Sequence, residues 1–130
     1  MGQVAKLVNQ IIVAGTLAAV AEGLVFAAKS GVDLAAVFNA VTGGAANSWQ
    51  LENLGARILK RDFAPGFKVR MQAKDLRLIQ ESALEMQLPL LTTTLVHQGY
   101  VAMTREGLGE EGTQAYVQLL ERLGGVEVSN

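Results

Sequence analysis

The run from Ile11 to Ala28 carries one charge, Glu22, and it limits what this chain can fold into. Alanine, leucine and valine dominate it, with no sustained alternation of apolar and polar residues. Such a segment reads as a helix, apolar on nearly every side, that needs cover from other elements. It is also long enough to raise the question of a membrane span. Against that, Glu22 interrupts it, and Lys6 and Lys29 are too sparse to anchor its ends. Its many alanines and its two glycines make it only weakly hydrophobic. The expectation is a central rod, buried within the domain or against a second subunit, with no membrane partner. The amino end lacks a basic region followed by a short apolar core and a cleavage site, so no signal peptide is expected and the expected location is cytoplasmic.

Half of the 130 residues are hydrophobic but only 5% are aromatic. Strands favour aromatic and β-branched side chains, so the composition favours helix. The length suits one domain with a sizeable core. An all-α domain of about six helices is expected, with the apolar rod at its centre. The net charge of -1 argues against a nucleic-acid partner. There is no cysteine, and His97 is the one histidine, so no metal site is expected.

Turn chemistry divides the chain. The first helix is predicted from Val4 to Lys29, ended by Gly31, with Asp33 capping a second helix from Leu34 to Val41. Thr42 to Ala46 is a break. Asn47, with Gln50 three residues on, resembles a capping box that opens a third helix to Lys60. Asp62-Phe63-Ala64-Pro65-Gly66 is a turn. A fourth helix is predicted from Lys68 to Met86, and a fifth, seeded by Pro89 in its first turn, to Glu106. After the loop 107–112, Thr113 is placed to cap a sixth helix that stops near Gly124-Gly125.

Chemistry concentrates at the start of the rod. Lys6, Asn9 and Gln10 lie at i, i+3 and i+4, so an ammonium and two amides share one helical face. A solvated helix start is the plain reading. The sharper one makes Lys6 a general acid–base, with Asn9 or Gln10 holding it or a substrate hydroxyl in register. A second candidate lies in the basic stretch from Arg57 to Arg77, which holds Arg57, Lys60, Arg61, Lys68, Arg70, Lys74 and Arg77 against only Asp62 and Asp75. This is either a solvated face or an attraction for an anionic ligand. Within it, Phe67, Met71, Lys74 and Leu78 form a helical stripe, so Lys74 either snorkels to water or lines a cleft. His97 reads as a packed or surface histidine and Trp49 as a core or interface residue.

At these residues the sequence resembles the C-terminal helical domain of the β-hydroxyacid dehydrogenase family. The resemblance rests on G-Q-V-A-K-L-V-N-Q at 2–10, A-E-G-L at 21–24, D-F-A-P-G-F at 62–67, K-D-L at 74–76, L-P-L at 88–90 and the G-L-G loop at 107–109. It implies a reversible NAD- or NADP-linked reduction of a small oxo acid semialdehyde, of the tartronate semialdehyde to glycerate type. It implies that Lys6 is the catalytic lysine and that Asn9 is an amide beside it. Asn9 and Gln10 become the substrate-binding candidates. Gln10 stands where many relatives have asparagine, which leaves open which amide meets the substrate. Lys74 matches a lysine that approaches the nicotinamide end of the cofactor. The family's Rossmann domain, with its G-x-G-x-x-G turn, has no counterpart in residues 1–130. The chain alone is therefore expected to be inactive. So apolar a rod is hard to cover with so few aromatic residues, so the chain is also expected to pair as a homodimer or higher homo-oligomer. The competing reading is a non-catalytic helical oligomerisation module. The two part company on whether Lys6 and Lys74 share a cleft.

Overall fold

The computed structural model describes residues 1–129. Helix α1 (Gly2–Ser30) is followed by α2 (Leu34–Thr42), a π-helical segment (Gln50–Gly55) that runs directly into α3 (Ala56–Leu59), α4 (Val69–Glu85), α5 (Leu91–Arg105), a 3-10 turn (Thr113–Ala115) and α6 (Tyr116–Gly124). Among the described residues there is no strand, only one isolated bridge between Lys68 and Gly112. The all-α expectation holds, with α1 as the element on which α2, α4, α5, α6 and the π segment all pack.

The rod is less covered than its composition suggested. One face, with Ala14, Leu17, Ala21 and Leu24, is buried in the core. Val4, Val8, Ile12 and Phe26 on the same helix remain exposed. Among the described helices α1 alone is long and apolar enough to cross a membrane. Its small alanines let α4, α5 and α6 approach one side closely, and too few elements remain to close the other.

Several predicted boundaries move for local reasons. Gly31 ends α1 in the left-handed conformation (φ 78°), and the Asp33 carboxylate caps α2 by accepting from the Ala36 N–H, as expected. Asn47 does not form the capping box with Gln50. Its side chain donates to Glu52 at 3.1 Å, and Ser48 Oγ takes the cap by accepting from the Leu51 N–H at 3.0 Å. The wider π turn that follows brings Gly55 against Leu51 and Phe38, where an added Cβ would lie 3.3 Å from both side chains. Pro89 falls before α5, which begins at Leu91, so it stops the incoming chain and does not occupy the first turn. Thr113 is buried in the 3-10 turn and caps nothing through its side chain.

One feature of the core runs against its apolar surroundings. Gln72 is fully buried on α4, and neither polar atom of its amide has a hydrogen-bond partner among the described residues. The same is true of the Tyr100 hydroxyl, whose ring stacks on Tyr116 with centroids 5.4 Å apart. Burial pushes the Tyr100 hydroxyl pKa well up, so it stays protonated. An unsatisfied buried polar group costs about 1–3 kcal/mol. Gln72→Met keeps nearly the same volume and removes that cost. It is expected to raise stability by about 1 kcal/mol, measured as a higher urea midpoint with an unchanged slope.

Candidate functional site

The amino-terminal end of α1 forms one wall of a cleft of about 540 Å³. Lys6, Asn9, Gln10 and Val13 line it from α1, and Trp49, Gln50 and Leu54 from the segment before α3. Arg57, Phe67 and Gln114 close the far side. Lys6 and Asn9 are exposed at its mouth, whereas Gln10 is buried. Asn9 Nδ2 donates to Gln10 Oε1 at 2.9 Å, and Gln10 Nε2 donates to Asp75 Oδ2 on α4 at 2.9 Å.

The far wall is held by the D-F-A-P-G-F segment. Arg57 donates to the Asp62 carboxylate at 3.1 Å and to the Ala64 carbonyl at 2.9 Å. Gln114 Nε2 donates to the carbonyls of Asp62 and Ala64, each at 3.0 Å. The Gly112 and Thr113 amides donate to the Phe63 and Phe67 carbonyls. Gly112 is required here, because a Cβ would meet the Ala64 carbonyl oxygen at 2.9 Å and the Gln114 side chain at 2.3 Å. The Arg57 guanidinium, by hydrogen bonding, holds the Asp62 carboxyl below the usual carboxylate range. Phe67 thus faces α1 from a loop stitched down at both ends.

Lys74 lies elsewhere. The buried face of α4 is Val69, Gln72, Asp75, Leu76, Ile79 and Ala83. The stripe singled out in the sequence faces outward, with Met71 and Leu78 exposed. Lys74 lines a second, shallower groove of about 540 Å³ between α4 and α5, with Arg70, Arg77, His97, Thr104 and Arg105. Within this chain the two lysines line separate hollows, which corrects the expectation of one shared pocket. The physical reason is the register of α4: Asp75 turns inward to meet Gln10, and its neighbour Lys74 points out past it. In this groove Arg70 and Arg77 are paired with Glu110 and Glu81, while Lys74 and Arg105 make no ion pair among the described residues and are the cations left to draw an anion.

Burial lowers the His97 pKa below its usual value. A histidine that resists protonation in the folded state binds fewer protons than in the unfolded chain. Its contribution is intact above about 6.5 and is lost as pH falls through the lower folded value. His97→Gln is therefore expected to flatten the decline of the melting temperature below that pH, as measured by thermal denaturation across a pH series.

The sequence profile described as "NAD-binding of NADP-dependent 3-hydroxyisobutyrate dehydrogenase" matches residues 1–120. The chain belongs to that family. It is 43% identical over 129 residues to the probable 3-hydroxyisobutyrate dehydrogenase-like 1, mitochondrial, of Arabidopsis thaliana, covering 99% of this chain and 39% of that protein. It is 42% identical over 120 residues to the 2-hydroxy-3-oxopropionate reductase of Escherichia coli, covering 92% and 41%. The fold matches that of 3-hydroxyisobutyrate dehydrogenase from Salmonella typhimurium with a TM-score of 0.85 and 28% identity, over 89% of this chain and 41% of that one. It matches the Mycobacterium tuberculosis 3-hydroxyisobutyrate dehydrogenase studied with L-serine with a TM-score of 0.83 and 25% identity, over 92% and 43%. The chain spans about two fifths of the length of these relatives.

Sequence reading missed three cleft residues. In the sequence Arg57 stands out only within a basic stretch, Phe67 only within a helical stripe and the D-F-A-P-G-F motif, and Gln114 not at all. The spacing of D-F-A-P-G-F gave a signal for the first two, since a turn that rigid needs a partner. Gln114 left no signal, because its role depends on a contact across 50 residues of chain.

Proposed function

We propose that this chain is the substrate-side domain of an NAD(P)-dependent oxidoreductase that reduces a small 2- or 3-oxo acid semialdehyde, of the tartronate semialdehyde to glycerate type. The observation that carries the reading is Lys6 standing beside Asn9 at the mouth of a built cleft, in a chain of this family. A bound reduced nicotinamide would supply the hydride. Lys6 would donate a proton to the carbonyl oxygen as the carbonyl carbon is reduced, and take it back in the reverse direction. Its ammonium also stabilises negative charge developing on that oxygen. Lys74 and the cations around it would meet an anionic part of the cofactor. The lining of that groove offers such a group Lys74 and Arg105, which make no ion pair among the described residues, beside Arg70 and Arg77, which are paired with Glu110 and Glu81.

The test joins this chain to the amino-terminal domain of the Escherichia coli reductase. The 130-residue chain alone is expected to show no oxidation of NADH or NADPH with tartronate semialdehyde, and the fusion is expected to show it. Turnover by the chain alone would sink the domain assignment.

A second reading, a helical oligomerisation module, is supported by Lys6 and Lys74 lining separate hollows and by the exposed apolar side chains. Val4, Val8 and Ile12 on α1, with Leu91 and Leu95 on α5, are left uncovered. Such surface favours a homodimer or higher homo-oligomer. Light scattering on the purified chain measures this directly, and a monomer at all concentrations would exclude it. We place the protein in the cytoplasm, a proposal that cell fractionation checks.

A further inference from the structure

The cleft at the start of α1 has a second cation. Lys6 stands at its mouth, Arg57 on its far side, and no carboxylate is among the residues that line it. Arg57 is partly withdrawn from water, with its side chain 32% exposed, and it is paired with Asp62. The pairing uses one edge of the guanidinium. Nε donates to Asp62 Oδ2 at 3.1 Å, and Nη2 donates to the Ala64 carbonyl at 2.9 Å. Gln114 Nε2 pins that same carbonyl at 3.0 Å, together with the carbonyl of Asp62. A guanidinium carries five N–H donors in a flat fork. Nη1 donates to nothing among the described residues, and Nη2 keeps one hydrogen to spare. Those two nitrogens form the end edge of the fork, which takes a two-oxygen acceptor through paired, parallel bonds. The turn that Gln114 stitches down fixes the plane of that edge.

We infer that Arg57 is a substrate-binding residue whose Nη1–Nη2 edge receives the carboxylate of the oxo acid, and that Asp62 and Gln114 are positioning residues that hold the fork in place. This rests on the reading that the cleft takes the substrate. A small acid then lies between two cations, with its carbonyl oxygen at Lys6 and its carboxylate at Arg57. The Asp62 carboxylate, on the other edge of the same fork, offsets part of the pull on an anion. Asp62→Asn keeps the shape and removes that charge, so it should tighten the grip, whereas loss of Arg57 should loosen it. A tie between Arg57 and Asp62 that served stability alone would make both changes act in the same direction. A phosphate also offers the fork two oxygens, so the choice between the two anions is put to direct comparison.

Trp49 lines the same cleft and is the one tryptophan of the chain, so its emission registers what enters. The 130-residue chain is titrated with glycerate, with the uncharged glyceramide and with inorganic phosphate. Glycerate is expected to give a saturable change in emission, with both other probes about tenfold weaker or more. Arg57→Met should weaken glycerate binding about tenfold or more, the share of a charge-assisted pair. Arg57→Lys keeps the charge without the fork and should recover only part of the loss. Asp62→Asn should tighten glycerate binding about two- to threefold, a modest gain because water reaches Asp62 and screens it. The inference is overturned by an unresponsive unsubstituted chain, by glyceramide or phosphate matching glycerate, or by Asp62→Asn weakening binding alongside Arg57→Met. Should Arg57→Met fail to fold, Arg57→Lys and Asp62→Asn still decide the matter through their opposite signs. In the fusion with the reductase cofactor domain, Arg57→Met should raise KM for tartronate semialdehyde about tenfold with kcat little changed. Lys6→Ala is run beside it. If Lys6→Ala keeps full turnover, the underlying functional reading fails; if it loses turnover while Arg57→Met leaves KM unmoved, only the present inference fails.

Discussion

Lys6→Ala in the fused enzyme is expected to lower kcat by about 100- to 10,000-fold, the range that a positioned general acid–base contributes. The loss should appear equally in kcat/KM if the amine acts mainly in the transition state. Stability should not follow, because Lys6 is exposed and makes no ion pair among the described residues. Lys60→Ala is the control, since that side chain is exposed and lines neither the Lys6 cleft nor the groove between α4 and α5. Steady-state kinetics with paired melting curves settles the point. Equal losses in the two variants would mean that the Lys6 assignment is wrong.

Glu121→Ala is expected to cost about 2–3 kcal/mol of stability, somewhat below the range for breaking a fully buried pair because Arg61 keeps some contact with water. Glu121 is 8% exposed and ties three elements together. It accepts from both terminal nitrogens of Arg61, at 2.7 and 3.0 Å, and from the Val128 backbone N–H at 2.6 Å. Arg61 also donates to the Val128 carbonyl and stacks over the Phe63 ring, 5.1 Å from its centroid. The Glu121 carboxylate, chiefly by hydrogen bonding, holds the guanidinium still more firmly protonated. Arg61 sits in the left-handed region, φ 54°, a conformation that costs a non-glycine residue about 1–3 kcal/mol. The fork on Glu121 offsets that strain. Removing the carboxylate therefore frees a strained turn, leaves the cation only the longer pair with Glu127 at 3.8 Å, and unpins the tail at Val128, which is fully buried. The melting temperature should fall by about 6–12 °C for a chain of this size. A shift under 2 °C would show that the tail and the turn hold without it.

The two experiments probe parts of the molecule that the sequence revealed unequally. The helices were legible because their signals are local. Gly31 needs a left-handed conformation, Asp33 has an oxygen to cap with, and the run after Gln10 cannot be anything but a helix. Lys6 and Asn9 were legible as a pair because helical geometry alone puts i and i+3 on one face. The capping box at Asn47 failed because two neighbouring residues could supply the oxygen, and only the packing of the π turn chose Ser48. Glu121 carried no signal, since a glutamate on a short helix looks solvated until a distant arginine and a returning tail meet it.

The sequence by itself determined an all-α chain, the family and the cluster at the start of α1, because each depends on contacts or spacings within a few residues. Tertiary structure alone decided which face of α1 is covered, that Lys74 turns away from the Lys6 cleft, and that Asp75 turns inward to orient Gln10. Those outcomes depend on the rotation of one helix about its axis relative to another, and that angle is set by side chains meeting across long stretches of chain.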